Sequence, residues 1–224
     1  MVALPNAADK PRYVAAMFGR IAGRYDLMNT LMTAGQDGAW RSAVARALDN
    51  PARVLDVGTG TGKLAAAIVQ HHPRAHVVGV DFSEPMLRAS NEAVAFAAGD
   101  ALKLPFPDAS FDAVVSAFLL RNVADVEQGI AEQVRVLRRG GRIVVLETAP
   151  APNLPMRLYL RYVLPALGGL IAGDSSAYTY LPESTLAFVQ PERLGELMRE
   201  RALTLESVDR RSLGCVAVTV ALKE

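Results

Sequence analysis

One stretch limits the fold more than any other: Val54-Leu55-Asp56-Val57-Gly58-Thr59-Gly60-Thr61-Gly62. An apolar run ending in Asp, then glycines at alternate positions, reads as a buried strand turning sharply into a helix, here Lys63 to Gln70. Glycine lets such a turn bend tightly and lets its backbone approach a ligand with no Cβ in the way. The helix that follows points its N-terminus at that ligand.

Three cofactor classes compete for the turn. A P-loop needs a Gly with four residues between it and the Gly-Lys pair, and Ser or Thr after the pair. Gly62-Lys63 has Val57 at that distance and Leu64 behind it, so this class is excluded. A dinucleotide fingerprint requires G-x-G-x-x-G, whereas G-x-G-x-G leaves no pyrophosphate-shaped loop. S-adenosylmethionine (SAM) carries no phosphate. A tight turn can wrap its methionine part, with Asp56 able to meet the ammonium group. A glycine-rich turn without a ligand is the plain alternative.

The rest of the chain narrows the class. Its 224 residues, 51% of them hydrophobic, support one sizeable α/β domain with a substantial core. A net charge of +1 with no basic stripe argues against a nucleic-acid partner. A single cysteine, Cys215, excludes a disulfide framework and any multi-cysteine metal site. Met1 to Lys10 lacks the apolar core of a signal peptide. The longest uncharged apolar run, Tyr162 to Gly173, is too short to span a bilayer. The expectation is a cytoplasmic enzyme, with that run reserved for a peripheral contact with a membrane surface.

Residues 1–50 read as a helical cap in which Val14, Met17, Phe18, Ile21 and Tyr25 recur at helical spacing. Tyr25, Asp26 and Asn29 thread polar groups through this apolar segment, and such groups usually have a partner. From Arg53 onward strands alternate with helices, the signature of a mostly parallel sheet covered on both faces. The strands are placed at Arg53 to Val57, His76 to Val80, Val94 to Ala98, Phe111 to Phe118 and Arg142 to Glu147. A helix from Val126 to Leu137 ends at Gly140-Gly141, another runs from Pro191 to Arg201, and late strands at Thr204 to Arg210 and Cys215 to Leu222 bring the sheet to seven.

In such a sheet ligands bind beyond the carboxyl ends of the strands. Asp81, Asp100, Arg121, Asn122 and Glu147 all fall there, on one rim with the glycines. Asp81 lies about twenty residues past the turn, where a carboxylate can accept hydrogen bonds from both ribose hydroxyls, although it could equally start the next helix. Asp100 and Ala101 follow the third strand, near an adenine edge. A guanidinium directly behind a buried strand, Arg121, must be paired or functional, because burial without compensation costs several kcal/mol. His71, His72 and His76 fall on the opposite rim, so no histidine base and no histidine metal site is available at the glycine turn. Residues 150–189 form an insertion. Its Leu158, Leu160, Tyr162, Val163, Leu164, Leu167, Leu170 and Ile171 supply apolar surface, with Arg157 and Arg161 beside them for anionic headgroups.

Several blocks together resemble the ubiquinone/menaquinone biosynthesis C-methyltransferase family: Tyr25-Asp26-Leu27-Met28-Asn29, Trp40, Leu55-Asp56 to Gly62, Gly99-Asp100-Ala101, Leu104-Pro105-Phe106, Leu120-Arg121-Asn122-Val123, Arg135-Val136-Leu137, Leu146-Glu147 and Tyr180-Leu181. The resemblance runs in order from about Met17 to Ala217. It implies a Rossmann-like class I fold and methyl transfer from SAM to a ring carbon of a prenylated quinol, with the quinol as small-molecule partner and a homodimer as a further expectation. On this reading the cofactor set is Asp56, Gly58, Thr59, Gly60, Thr61, Gly62, Asp81, Phe82, Asp100, Ala101 and Ala117. The catalytic set is Tyr25, Arg121 and Asn122, with Arg121 stabilising an oxyanion or orienting a water.

The chain also departs from the family pattern. Thr33 and Asp37 stand where a Ser and a His usually precede Trp40, and Ala117-Phe118-Leu119-Leu120-Arg121 replaces Ser-Phe-Gly-Leu-Arg. Thr219 stands where a His is common. These departures crowd the acceptor side. They keep two further readings open: methylation of another phenolic or polyketide-like ring, and a non-catalytic cofactor-binding partner in a quinone-synthesis assembly.

Overall fold

Apolar, β-branched runs punctuated by turn residues assemble, in this computed structural model, into one seven-stranded sheet; residues 5–6, 8–150, 158, 162 and 175–224 are described. The strands are β1 (Arg53–Val57), β2 (His76–Asp81), β3 (Ala95–Ala98), β4 (Phe111–Ala117), β5 (Leu137–Thr148), β6 (Leu203–Arg211) and β7 (Val216–Lys223). Their order is β3-β2-β1-β4-β5-β7-β6. The pairings from β3 to β5 are parallel, and β7 inserts antiparallel between β5 and β6. Strand order reverses between β1 and β4, and the crevice at that reversal is where such sheets hold ligands.

Alternation along each strand sends side chains to opposite faces. In β1, Val54 joins a cluster with Val44, Leu64 and Ile68, while Leu55 joins one with Ile130, Leu194 and Met198. The first cluster is covered by α3 (Gln36–Arg46) and α4 (Lys63–His71), the second by α6 (Val126–Val136) and the helix Pro191–Arg199. A short α5 (Glu84–Arg88) follows β2.

A third, smaller cluster lies over the sheet. Met17 and Ile21 of α1 (Lys10–Ile21), Met28 of α2 (Tyr25–Met32) and Tyr180 of α7 (Ser175–Ala187) pack there with Phe18 and Tyr25. The helical cap and α7 of the 150–189 insertion therefore share one apolar cluster. The apolar run after Tyr162, with Arg157, Leu160 and Arg161, lies outside the described residues; Leu158 and Tyr162 are exposed. Among the described residues no helix is long and apolar enough to cross a membrane.

One boundary differs from the sequence expectation. The helix ends at Val136, within one residue of the expected Leu137, but β5 begins at once with Leu137 and not at Arg142 beyond the Gly140-Gly141 pair. The ladder with β4 then shifts register between Phe111↔Leu137 and Ala113↔Arg142, so the glycines form an irregularity inside the strand. Gly140 takes φ +71° there, and a Cβ on Gly141 would lie 2.7 Å from the Asp112 carbonyl oxygen.

Arg135 holds the connection between β3 and β4. Its guanidinium donates to the carbonyls of Leu104 (3.0 Å) and Phe106 (2.8 Å) and to the carboxylates of Glu132 (2.8 Å) and Asp108 (2.8 Å). Glu132 returns the contact by accepting the Leu104 N–H at 2.7 Å. The hydrogen bonds from Arg135 hold the Glu132 carboxyl below its ordinary range. Lysine carries the charge without the planar fork. Arg135→Lys should lower unfolding stability by about 1–3 kcal/mol, read from urea denaturation; an unchanged midpoint would remove Arg135 from this role.

Candidate functional site

The turn after β1 is built by glycine. Gly58, Gly60 and Gly62 have φ of +70°, +57° and +83°, which L side chains rarely adopt. Space demands them as well: a Cβ on Gly58 would lie 2.7 Å from Leu119 Cδ1, and one on Gly62 2.7 Å from Phe96 Cζ. The N–H groups of Gly58 and Thr59 donate to the Val80 carbonyl at 2.8 and 3.1 Å, and the Gly60 N–H donates to Asp81 Oδ2 at 2.8 Å. The loop is thereby tied to the end of β2.

Beneath the turn, Asp56 Oδ2 accepts from Thr59 Oγ1 (2.7 Å) and from the Ala65 N–H (3.1 Å). Thr61 Oγ1 donates to Asp26 Oδ1 at 2.7 Å and so anchors the start of α2. Asp56, Thr59, Thr61 and Gly62 thus shape the turn and do not line the cavity above it. Asp56 is fully buried, with its second oxygen, Oδ1, left without a partner among the described residues. Burial pushes its carboxyl up to about 7 against the opposing hydrogen bonds from Thr59 and Ala65.

The first cavity lies over the switch point. Gly58, Gly60, Asp81, Phe82, Asp100, Ala101 and Ala117 line it, joined by Tyr25 and Asn122. Sequence reasoning missed its roof, formed by Pro11, Val14 and Phe18 of α1, and the Phe118-Leu119 wall. The apolar spacing of α1 carried no sign of whether it faced protein or ligand. Phe118 takes φ +56°, a conformation that costs a non-glycine residue about 1–2 kcal/mol. Its ring is held by Trp40 at 6.1 Å and by the Arg121 guanidinium at 5.3 Å.

Two further cavities continue from the first. A middle one of about 40 Å³ is walled by Met17, Ile21, Met28, Asn29, Arg121, Asn122 and Tyr180, and an outer one of about 340 Å³ by Thr33, Asp37, Trp40, Arg41, Arg121 and Thr185 among others. Tyr25 lines all three. Burial pushes its hydroxyl up, while the hydrogen bond with Asn29 and the charges of Arg121 and Arg41 pull it down. Arg121 is paired, as its position demanded: Nη1 donates to Glu147 Oε1, and its backbone N–H donates to Glu147 Oε2 at 3.3 Å. Asn122 Nδ2 donates to the Phe118 carbonyl at 2.8 Å. Arg41 pairs with Asp37 at 2.6 Å. None of the histidines lines any of these cavities; His71 and His72 bond the carbonyls of Ala67 and Ala45.

The first cavity suits a nucleoside with a cationic amino-acid tail. Its glycine cradle would be filled by any Cβ, Asp81 presents a carboxylate, Phe82 shows an apolar ring 55% exposed, and Asp56 holds a spare buried oxygen close under the turn. The Asp56 carboxyl also predicts a pH dependence. Below pH 3.8 it is protonated folded or unfolded; between 3.8 and about 7 only the folded chain keeps the proton, so stability falls as pH rises through that window. Asp56→Asn keeps an acceptor for Thr59 and Ala65, and it should flatten that segment of the urea midpoint against pH. An unchanged profile would contradict the assignment.

Comparison with known proteins gives this arrangement a context. A model of the ubiE/COQ5 methyltransferase family matches residues 6–223. The demethylmenaquinone methyltransferase of Thermus thermophilus is 51% identical over 195 residues, covering 81% of this chain and 89% of that protein. Its counterpart in Deinococcus radiodurans is 48% identical over 204 residues, 85% of each. The ubiquinone/menaquinone biosynthesis C-methyltransferase of Desulfotalea psychrophila is 42% identical over 221 residues, 94% of this chain and 90% of that protein. Among solved structures, a SAM-dependent methyltransferase from Thermotoga maritima matches with a TM-score of 0.68 at 21% identity, covering 93% and 99% of the two chains. The [4+2]-cyclase SpnF matches with 0.69 at 17%, covering 100% and 98%. At such identities the likeness shows the fold alone, and one of the two names a different reaction.

Proposed function

The chain belongs to the ubiE/COQ5 methyltransferase family, and from that premise we propose that it transfers a methyl group from SAM to a ring carbon of a prenylated quinol, with demethylmenaquinol as acceptor. The observation that carries the reading is the joining of a glycine-cradled cavity to a larger, partly apolar one across the side chains of Tyr25 and Phe118, which line both.

Gly58 and Gly60 would leave room for the methionine part, Asp81 would accept the ribose hydroxyls, and Phe82, Asp100 and Ala101 would border the adenine. Asp56 Oδ1, buried beneath the turn and unpartnered among the described residues, would offer its charge to the ammonium group from below the cavity floor. When bound, SAM supplies an electrophilic methyl group to the acceptor ring.

The chain's own work is on the acceptor. A free phenol titrates near ~10, and a ring carbon becomes a strong nucleophile once the neighbouring oxygen ionises. A guanidinium is no general base; Arg121 instead lowers the cost of the oxyanion by placing a cation beside it. Glu147 fixes the guanidinium by accepting from both its side chain and its backbone. Asn122, tethered to Phe118, and Tyr25 complete the polar wall. Holding ring carbon and methyl carbon at roughly 3–3.5 Å supplies much of the remaining acceleration.

The departures at Thr33 and Asp37 line the outer cavity, and they favour a second reading in which another phenolic ring is methylated there. Purified protein incubated with isotopically labelled SAM should label chemically reduced short-tail demethylmenaquinone in preference to a panel of simple phenols. Faster labelling of any phenol in the panel would displace the quinol assignment. Arg121→Lys retains a cation for Glu147 yet loses the fork. It should cut kcat about 10- to 100-fold while leaving the dissociation constant for SAM within twofold; full turnover would remove Arg121 from the mechanism.

A further inference from the structure

The middle cavity contains three polar residues that the fold leaves incompletely satisfied. Arg121 Nε, Asn122 Oδ1 and Tyr180 Oη are each buried, and each lacks a hydrogen-bond partner among the described residues. All three residues line the same small space, whose remaining wall is mostly apolar, with Met17, Phe18, Ile21 and Met28, and also carries Tyr25 and Asn29. Their exposures are 7%, 8% and 3%, so solvent does not satisfy them. A buried polar atom left unpaired costs about 1–3 kcal/mol, and native folds rarely tolerate three in one place.

The donor and acceptor inventory points to what fills the space. Arg121 Nε–H is a donor, Asn122 Oδ1 an acceptor, and the Tyr180 hydroxyl can donate. Two donors and one acceptor complement a single hydroxyl oxygen, which has one proton to give and two lone pairs to fill. Burial pushes the Tyr180 hydroxyl up to about 12, against the pull of the Arg121 charge, so it stays protonated at neutral pH. Its ring is braced by Tyr13, with centroids 5.5 Å apart.

We propose that Tyr180, together with Arg121 and Asn122, forms a three-point hydrogen-bonding site for the hydroxyl oxygen of the aromatic acceptor, which makes Tyr180 a further catalytic residue. In the hydroxyl form the ring oxygen donates to Asn122 Oδ1 and accepts from Arg121 Nε–H and Tyr180 O–H. When its proton leaves to water, the electron pair stays on the oxygen and both donors remain to hold it. Tyr180 arrives from α7, so the insertion contributes directly to the reacting centre. The inference rests on the phenolic-acceptor reading above.

Tyr180→Phe tests it, because removing an unpaired buried hydroxyl should leave the thermal midpoint unchanged or higher. With labelled SAM and reduced short-tail demethylmenaquinone, kcat should fall about 10- to 100-fold, SAM affinity should be unchanged, and the pH at half-maximal kcat should move upward. Turnover within twofold of wild type, or a loss of activity matched by a lowered melting point, would overturn the proposal. A calorimetric titration of 1-naphthol into the protein saturated with S-adenosylhomocysteine separates this inference from the choice of acceptor. The wild type should bind the naphthol at least fivefold more tightly than Tyr180→Phe even if no quinol is methylated. Equal binding by the two, or none by the wild type, would also overturn it, the cavity then holding an ordered water only.

Discussion

The structure depends on a backbone hydrogen bond made twice: the carbonyl of Val80, at the end of β2, accepts from both Gly58 and Thr59. This contact holds the turn after β1 against the neighbouring strand while three glycines carry it through the left-handed region. Asp81, one residue on, takes the Gly60 N–H. The loop is therefore rigid before any ligand arrives, and little ordering is left for binding to impose. The crossover of the sheet at β1 and β4 leaves the space above this loop open.

The second organising interaction is the buried pair of Arg121 and Glu147. Two charges taken out of water are costly, and such a pair is poor evidence of stability by itself. Its value here is directional. Glu147 accepts at both oxygens, and Nε of the same guanidinium stays buried with no hydrogen-bond partner among the described residues. Phe118, in a strained backbone conformation, lies against the same guanidinium. The strain and the desolvation fall in one place, at the junction of the cavities.

Much of this was legible in the sequence. Alternation and glycine spacing placed the strands and the turn, because those signals are local and periodic. The rim positions Asp81, Asp100, Ala101 and Asn122 followed from strand ends alone. The start of β5 at Leu137 did not, since a glycine pair reads equally as a stop before a strand or as a bulge inside it. Asp56 shows a different limit: a carboxylate before a glycine turn reads as a ligand group, whereas local bonds to Thr59 and Ala65 draw most of it beneath the loop. Tyr180 was visible only as part of a family block. Nothing in its neighbourhood shows that a helix some 150 residues from Tyr25 returns to the same cavity.

The sharing of one tyrosine among three cavities has an evolutionary side. On the proposed function, a change at Tyr25 would alter donor and acceptor walls together, so selection for a new acceptor there would tax the methyl donor as well. Thr33 and Asp37 touch only the outer cavity. They can change without that penalty.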